Sequence, residues 1–172
     1  MNSALERLND LSQREAEAEL LKCCGSRRWA RQTIEHRPFR DLNHLLETAD
    51  MVWWTLDIED WLEAFRSHPK IGERKAAQTV AEQSARWSEE EQAGVGNATQ
   101  VMLRELTEAN RAYEEKFGYI FIVCAMGKTG VEILKLLRER LHNEPETEIR
   151  VAAEEQRRIT QLRLKKSLES QS

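Results

Sequence analysis

Apolar residues recur along most of this chain at intervals of three and four, the spacing that lines one face of an α-helix. Ser12 is placed to cap a first helix carrying Ala16, Leu20 and Leu21, with Gly25 as the glycine just past its end. Ser26 starts a second, which holds Trp29 and Ile34 and breaks before Pro38. From Asp41 to about Trp54, the residues Leu42, Leu45, Leu46, Ala49, Val52 and Trp53 give a third helix a broad apolar stripe. A fourth opens at Asp57, spaces Ile58, Trp61, Leu62 and Phe65 helically, and stops at Ser67-His68-Pro69.

Residues 70–86 are polar and predict a loop with room for one helical turn. The stretch W-S-E-E-E-Q-A-G-V then begins the longest helix, from Ser88 to about Glu114. Between Gly118 and Gly127 the chain is apolar but too short for an ordinary core helix, so it is expected to be extended or irregular. Thr129 and Glu132 form a capping box for a helix whose apolar positions are Ile133, Leu134, Leu136, Leu137 and Leu141. Asn143 and Pro145 restart the chain into a final helix, with Ile149, Ala152, Ile159, Leu162 and Leu164 inward. No strand alternation, internal repeat or low-complexity linker interrupts this pattern. The fold class is therefore all-α, an irregular bundle of about seven or eight helices without heptad regularity, and the whole chain, 1–172, is expected to be one domain.

Composition narrows the partners. The 26 basic and 30 acidic residues are interspersed and leave a formal charge of only -4, so neither nucleic acid nor an anionic membrane is indicated. Cys23, Cys24 and Cys124 are an odd set without a zinc-type C-x-x-C pair, and adjacent Cys23 and Cys24 are poorly placed to bridge each other. A reducing compartment fits them. The first residues lack the apolar core of a signal peptide, no run approaches the roughly 20 apolar residues of a membrane span, and the last residues carry no S-K-L tripeptide. Cytoplasm is the expected location.

Few residues carry candidate chemistry. His36 and His142 lie near predicted helix C-termini and His44 at a helical position, where local roles suffice. His68 has two readings: the last residue before a proline that stops a helix, or a reagent. Ser88 with Glu91 three positions on makes a capping box behind a tryptophan, yet a helix start also offers N–H donors and a positive dipole end to an anion. G-Y-I-F-I-V-C reads as buried core; if it is extended, its backbone polar groups need partners that a planar, amide-rich ligand could supply. Cys124 reads as a small buried hydrophobe rather than a nucleophile, and the five tryptophans read as core. P-loop, G-x-G-x-x-G, H-E-x-x-H and G-x-S-x-G motifs are all missing, which withdraws support from phosphoryl transfer, dinucleotide chemistry, zinc proteolysis and the common serine hydrolase design.

Three stretches in this order, W-L-E-A-F-R-S-H-P-K-I-G-E, W-S-E-E-E-Q-A-G-V and N-R-A-Y-E-E-K-F-G-Y-I-F-I-V-C-A-M-G-K-T, resemble the OHCU decarboxylase family. OHCU is 2-oxo-4-hydroxy-4-carboxy-5-ureidoimidazoline, converted to (S)-allantoin at the end of urate oxidation. The likeness covers residues 11–164 and includes R-P-F at 37–39, E-I-L-x-L-L-x-x-R-L at 132–141 and R-L at 163–164. It implies an all-α bundle, often a homodimer. It also implies that His68 is the catalytic acid/base beside the rigid Pro69, with Glu91 as its partner. Ser88, Glu89, Glu90 and Gln92 would form a second wall. The segment Ile120, Phe121, Ile122, Val123 and Cys124 would hold the substrate mainly through its backbone, and Arg163 would contact an anionic group. Lys70 occupies a position that varies across the family, and the missing peroxisomal tail points to a bacterial-type cytosolic enzyme.

The implied chemistry suits these residue types. Loss of CO2 from the hydroxyl-bearing carbon leaves an electron pair that the neighbouring C=N accepts, so the substrate contains its own electron sink, and no metal, pyridoxal phosphate or thiamine cofactor is required. Orientation, removal of the hydroxyl proton and protonation of one face of the adjacent carbon remain for the protein. An unstable substrate also implies functional coupling to a urate oxidase or hydroxylase and a hydroxyisourate hydrolase upstream. Two alternatives stay open: a non-catalytic helical binding module, in which Glu91 only caps a helix, and a related enzyme with another ureido or imidazoline substrate.

Overall fold

The computed structural model describes residues 3–68 and 89–169, the side chains of 89–99 excepted, and every regular element among them is a helix. In chain order these are α1 (Ser3–Asp10), α2 (Gln13–Leu21), α3 (Arg27–Ile34), α4 (Leu42–Thr55), α5 (Ile58–Arg66), α6 (Glu89–Phe117), α7 (Gly130–Arg140) and α8 (Pro145–Glu169). They divide between two compact units: Met1–Ser67 with Ala153–Ser172, and His68–Ala152.

Local capping chemistry sets most of the helix starts. Ser12 and Glu15 form a reciprocal capping box, Ser26 Oγ accepts the Trp29 N–H at 3.3 Å, and Asp41 accepts the His44 N–H at 2.7 Å. The Thr129–Glu132 box opens α7 as expected, with both bonds at 3.2 Å. Each satisfies a backbone donor that the helix itself cannot, which is why Ser, Thr and Asp mark these positions.

In the first unit the core is organised by three indoles. Trp29, Trp53 and Trp61 are buried, and their N–H groups donate to the carbonyls of Ala49, Ala153 and Trp53 at 3.1, 3.0 and 3.0 Å. A buried ring thus contributes its apolar area without leaving its donor unsatisfied. Trp54 departs from the expectation that all the tryptophans are core: it is 44% exposed and meets Trp61 edge-on, while Ile58 is 53% exposed. Trp87 lies outside the described residues.

Three further expectations are corrected. Helix α1 was not anticipated; it buries Ala4, Leu5 and Leu8. Helix α6 continues to Phe117, beyond Glu114. Gly25 is not a left-handed cap glycine, because α2 has already ended at Leu21 and, among the described glycines, only Gly118 and Gly127 have positive φ. What Gly25 supplies is close approach: a Cβ there would stand 2.5 Å from Ser67 Oγ and closer still to Ser67 Cβ.

In the second unit α6 and α7 pack through Met102, Leu106 and Leu134 and through Tyr113, Phe121 and Leu137. Gly118, at φ 82°, carries its N–H back to the Glu114 carbonyl at 2.8 Å, a left-handed helix stop that a side chain would oppose. Gly127 turns similarly at φ 74°. The apolar stretch between them forms no helix or strand, as its length predicted. Along α8, Ala152 and Leu164 are buried, whereas Ile149, Ile159 and Leu162 are half-buried.

Candidate functional site

Helix α5 delivers His68. The helix ends in a turn in which Ser67 Oγ donates to the Ala64 carbonyl at 2.6 Å, and the half-buried His68 follows directly. Gly25 packs against this same Ser67, so the chain before the histidine is held from both sides. Pro69 and Ser88 lie outside the described residues, as do the side chains of Glu89, Glu90, Glu91 and Gln92. The backbone of those four forms the first turn of α6, where helix N–H groups have no partner within the helix and the dipole end is positive.

The side chains of two of the remaining histidines have local partners. His36 Nδ1 lies 2.9 Å from the Gln32 carbonyl, and His44 Nδ1 accepts the Arg40 N–H at 3.2 Å and meets the Phe39 ring edge-on. His142 is exposed just beyond α7. Among the described residues no group of three metal-capable side chains converges, and no helix is long and apolar enough to cross a membrane.

Segment 120–124 is the best-defined part of the site. Phe121, Ile122 and Cys124 are buried, and Ile120 and Val123 are half-buried. Two cations grip it from its own unit: Arg140 Nη1 donates to the Ile122 carbonyl at 2.7 Å, and Lys128 Nζ to the Cys124 carbonyl at 2.9 Å. No hydrogen bond among the described residues engages the backbone of Ile120, Phe121 or Val123. Such buried or half-buried amide groups are ordinarily paired, so an amide-rich ligand is a natural complement to them.

Arg140 is itself held. Its Nε donates to the fully buried Glu148 Oε1 at 2.7 Å, and Nη2 lies 2.6 Å from the same oxygen. The Tyr113 hydroxyl donates to Glu148 Oε1 at 2.5 Å and Asn143 Nδ2 to Oε2 at 2.9 Å. Burial first, and the bond to Glu148 second, push the Tyr113 phenol far above its ordinary value, so it stays a donor. The guanidinium also lies 4.4 Å from the Phe121 ring centroid, a cation–π contact that adds to the ion pair. A buried pair of this kind needs compensating hydrogen bonds, which Nε, Nη1 and both Glu148 oxygens make, while Nη2 meets Glu148 Oε1 as an ion-pair contact without a hydrogen bond.

Tyr113, Lys128, Arg140 and Glu148 were not among the expected site residues. Arg140 had a sequence signal: it lies on the inward stripe of α7, three positions after Leu137, where a charge is out of place. Arg163 belongs to the other unit, where it is exposed on α8 and its Nη1 donates to the Cys23 carbonyl at 3.4 Å. Cys124 is a free, buried thiol, in keeping with a packing role.

The family profile described as OHCU decarboxylase matches residues 9–165. The "Uric acid degradation bifunctional protein TTL" of Arabidopsis thaliana is 37% identical over 150 residues, 87% of this chain and 46% of that protein. This chain thus spans about half the length of that relative. The "2-oxo-4-hydroxy-4-carboxy-5-ureidoimidazoline decarboxylase" of Amia calva is 32% identical over 128 residues, 74% of this chain and 73% of that one. Among solved structures, an OHCU decarboxylase crystallised in the presence of (S)-allantoin superposes with a TM-score of 0.72 at 37% identity, covering 88% of this chain and 97% of that one.

Proposed function

Since the chain belongs to the OHCU decarboxylase family, we propose that it converts OHCU to (S)-allantoin without a cofactor. The observation that carries this reading is segment 120–124, a buried to half-buried stretch gripped through alternate carbonyls, in which the backbone of Phe121 and Val123 has no hydrogen bond among the described residues and so suits a ureido or ring-amide partner. The family match runs through both compact units, which supports treating the chain as one functional domain.

In this mechanism the bond from C4 to the carboxylate breaks, CO2 leaves, and the electron pair passes into the adjacent C5=N. The C4 hydroxyl loses its proton as the carbonyl forms, and C5 receives a proton on one face. His68 is the acid/base for these transfers, since imidazole titrates near neutrality, and Glu91 at the start of α6 orients the hydroxyl or the imidazole. Pro69, Ser88, Glu89, Glu90 and Gln92 complete that wall, and Arg163 meets an anionic group of the substrate. A cytoplasmic homodimer working downstream of urate oxidation and hydroxyisourate hydrolysis completes the proposal.

The test is to generate OHCU in situ from urate with the two upstream enzymes, add this protein, and follow circular dichroism. Accelerated appearance of one allantoin enantiomer is the expected result. A trace matching the slow racemic background would sink the activity. His68→Gln should remove the acceleration while keeping the helical spectrum, and Glu91→Ala should lower the rate by orders of magnitude. A Glu91→Ala protein that lost only about 1 kcal/mol of stability would instead mark Glu91 as a helix cap.

A further inference from the structure

We infer that Arg140 is a positioning residue for substrate binding: by fixing the Ile122 carbonyl it turns the backbone groups of Phe121 and Val123 toward the ligand. The inference rests on the decarboxylase reading and deepens it. In an extended chain successive peptide groups point to opposite sides, so carbonyls two residues apart share a side. The carbonyls of Ile122 and Cys124 are two residues apart in a segment that is neither helix nor strand, and both are taken by cations of the same unit, Arg140 and Lys128. The intervening backbone of Phe121 and Val123 has no hydrogen-bond partner among the described residues.

Arg140 suits this task because its planar fork reaches two acceptors at once. Nε and Nη2 meet Glu148, and Nη1 meets Ile122. Glu148, braced by Tyr113 and Asn143, fixes the plane of the guanidinium, and that plane fixes where the carbonyl must lie. The same group lies over the Phe121 ring, so the side chain and the carbonyl of neighbouring residues are set by one cation. Lysine cannot reproduce this, because its single ammonium is a point charge without a fork.

Two variants test the inference. Arg140→Lys keeps the charge opposite Glu148. Arg140→Met with Glu148→Gln removes both buried charges together, so that neither is stranded. In each, KM for OHCU should rise roughly tenfold or more, the loss expected from one charge-assisted hydrogen bond, while kcat changes by less than about threefold. The Phe121 and Val123 amide resonances should also move in the ligand-free protein. A folded variant with a lowered melting temperature but KM within about twofold of wild type would reduce Arg140 to a structural residue and overturn the inference. Wild-type protein without enantioselective turnover would instead defeat the decarboxylase reading, a separate outcome seen before any variant is made.

Discussion

Replacing Gly25 with alanine should disturb His68, the proposed acid/base, without touching it. The new methyl would stand 2.5 Å from Ser67 Oγ and nearer to Ser67 Cβ, where ordinary contacts are 3.4–4 Å. Rotating the hydroxyl away cannot relieve the Cβ overlap, so the backbone at the end of α5 must move by about 1 Å, and overpacking of this kind costs about 1–3 kcal/mol. For a chain of this size that is about 2–4 °C of melting temperature per kcal/mol. Because Ser67 directly precedes His68, a displacement of that size should also lower kcat, by up to about 100-fold. Ser67→Gly removes the opposing Cβ, and the Gly25→Ala/Ser67→Gly double variant should therefore be nearly as stable as Ser67→Gly alone, a coupling that thermal melts and the allantoin dichroism assay can both measure. Strictly additive losses, or a Gly25→Ala protein with wild-type melting and turnover, would refute the steric argument.

Two other measurements address the rest of the molecule. Glu63 accepts the Arg27 backbone N–H at 2.7 Å and the Arg27 guanidinium at 3.0 and 3.1 Å, and the backbone bond is the main reason its carboxyl sits below the ordinary value. Stability from this group is fully present above the unfolded-state value of about 4.3 and is lost as pH falls through the lower folded value, so the difference between wild type and Glu63→Gln should vanish at low pH; a difference that persists there would contradict the assignment. Burial pushes the Cys24 thiol up to about 11, and a thiol-specific reagent at pH 8 should reach it only after unfolding; rapid labelling of the native protein at Cys24 would show that its burial is incomplete.

Most of the fold was legible because the signals that decide it are local. Ser26, Asp41, Asp57 and Thr129 each announce a helix within a few residues, and the structure places helix starts behind all four. What escaped notice depended on geometry that the linear pattern does not carry. Trp53 and Trp54 are adjacent in α4, and at about 100° per residue two neighbours cannot both face one core; Trp53 goes in and Trp54 stays at the surface. Gly25 follows a helix closely enough to pass for its cap, yet its purpose lies in Ser67, a distant residue that local pattern could not nominate. Helix α1 offered only Ala4, Leu5 and Leu8 in a short polar stretch, too little periodicity to stand out.

The site was legible to a different degree in each part. His68 drew attention because only there do His, Pro and Gly crowd together in the chain, and segment 120–124 because an apolar run between two glycines has no evident secondary structure to satisfy its backbone. The sequence of that segment reveals a need, not its solution. The solution is the Arg140–Glu148 pair, whose members belong to different helices and become partners only when α7 and α8 fold together in one unit. A buried ion pair is weak evidence for stability, since apolar residues of similar shape often serve as well. This pair spends one of its donors on the Ile122 carbonyl, and that expenditure makes sense if the orientation of the segment, rather than the stability of the core, is what the arginine secures.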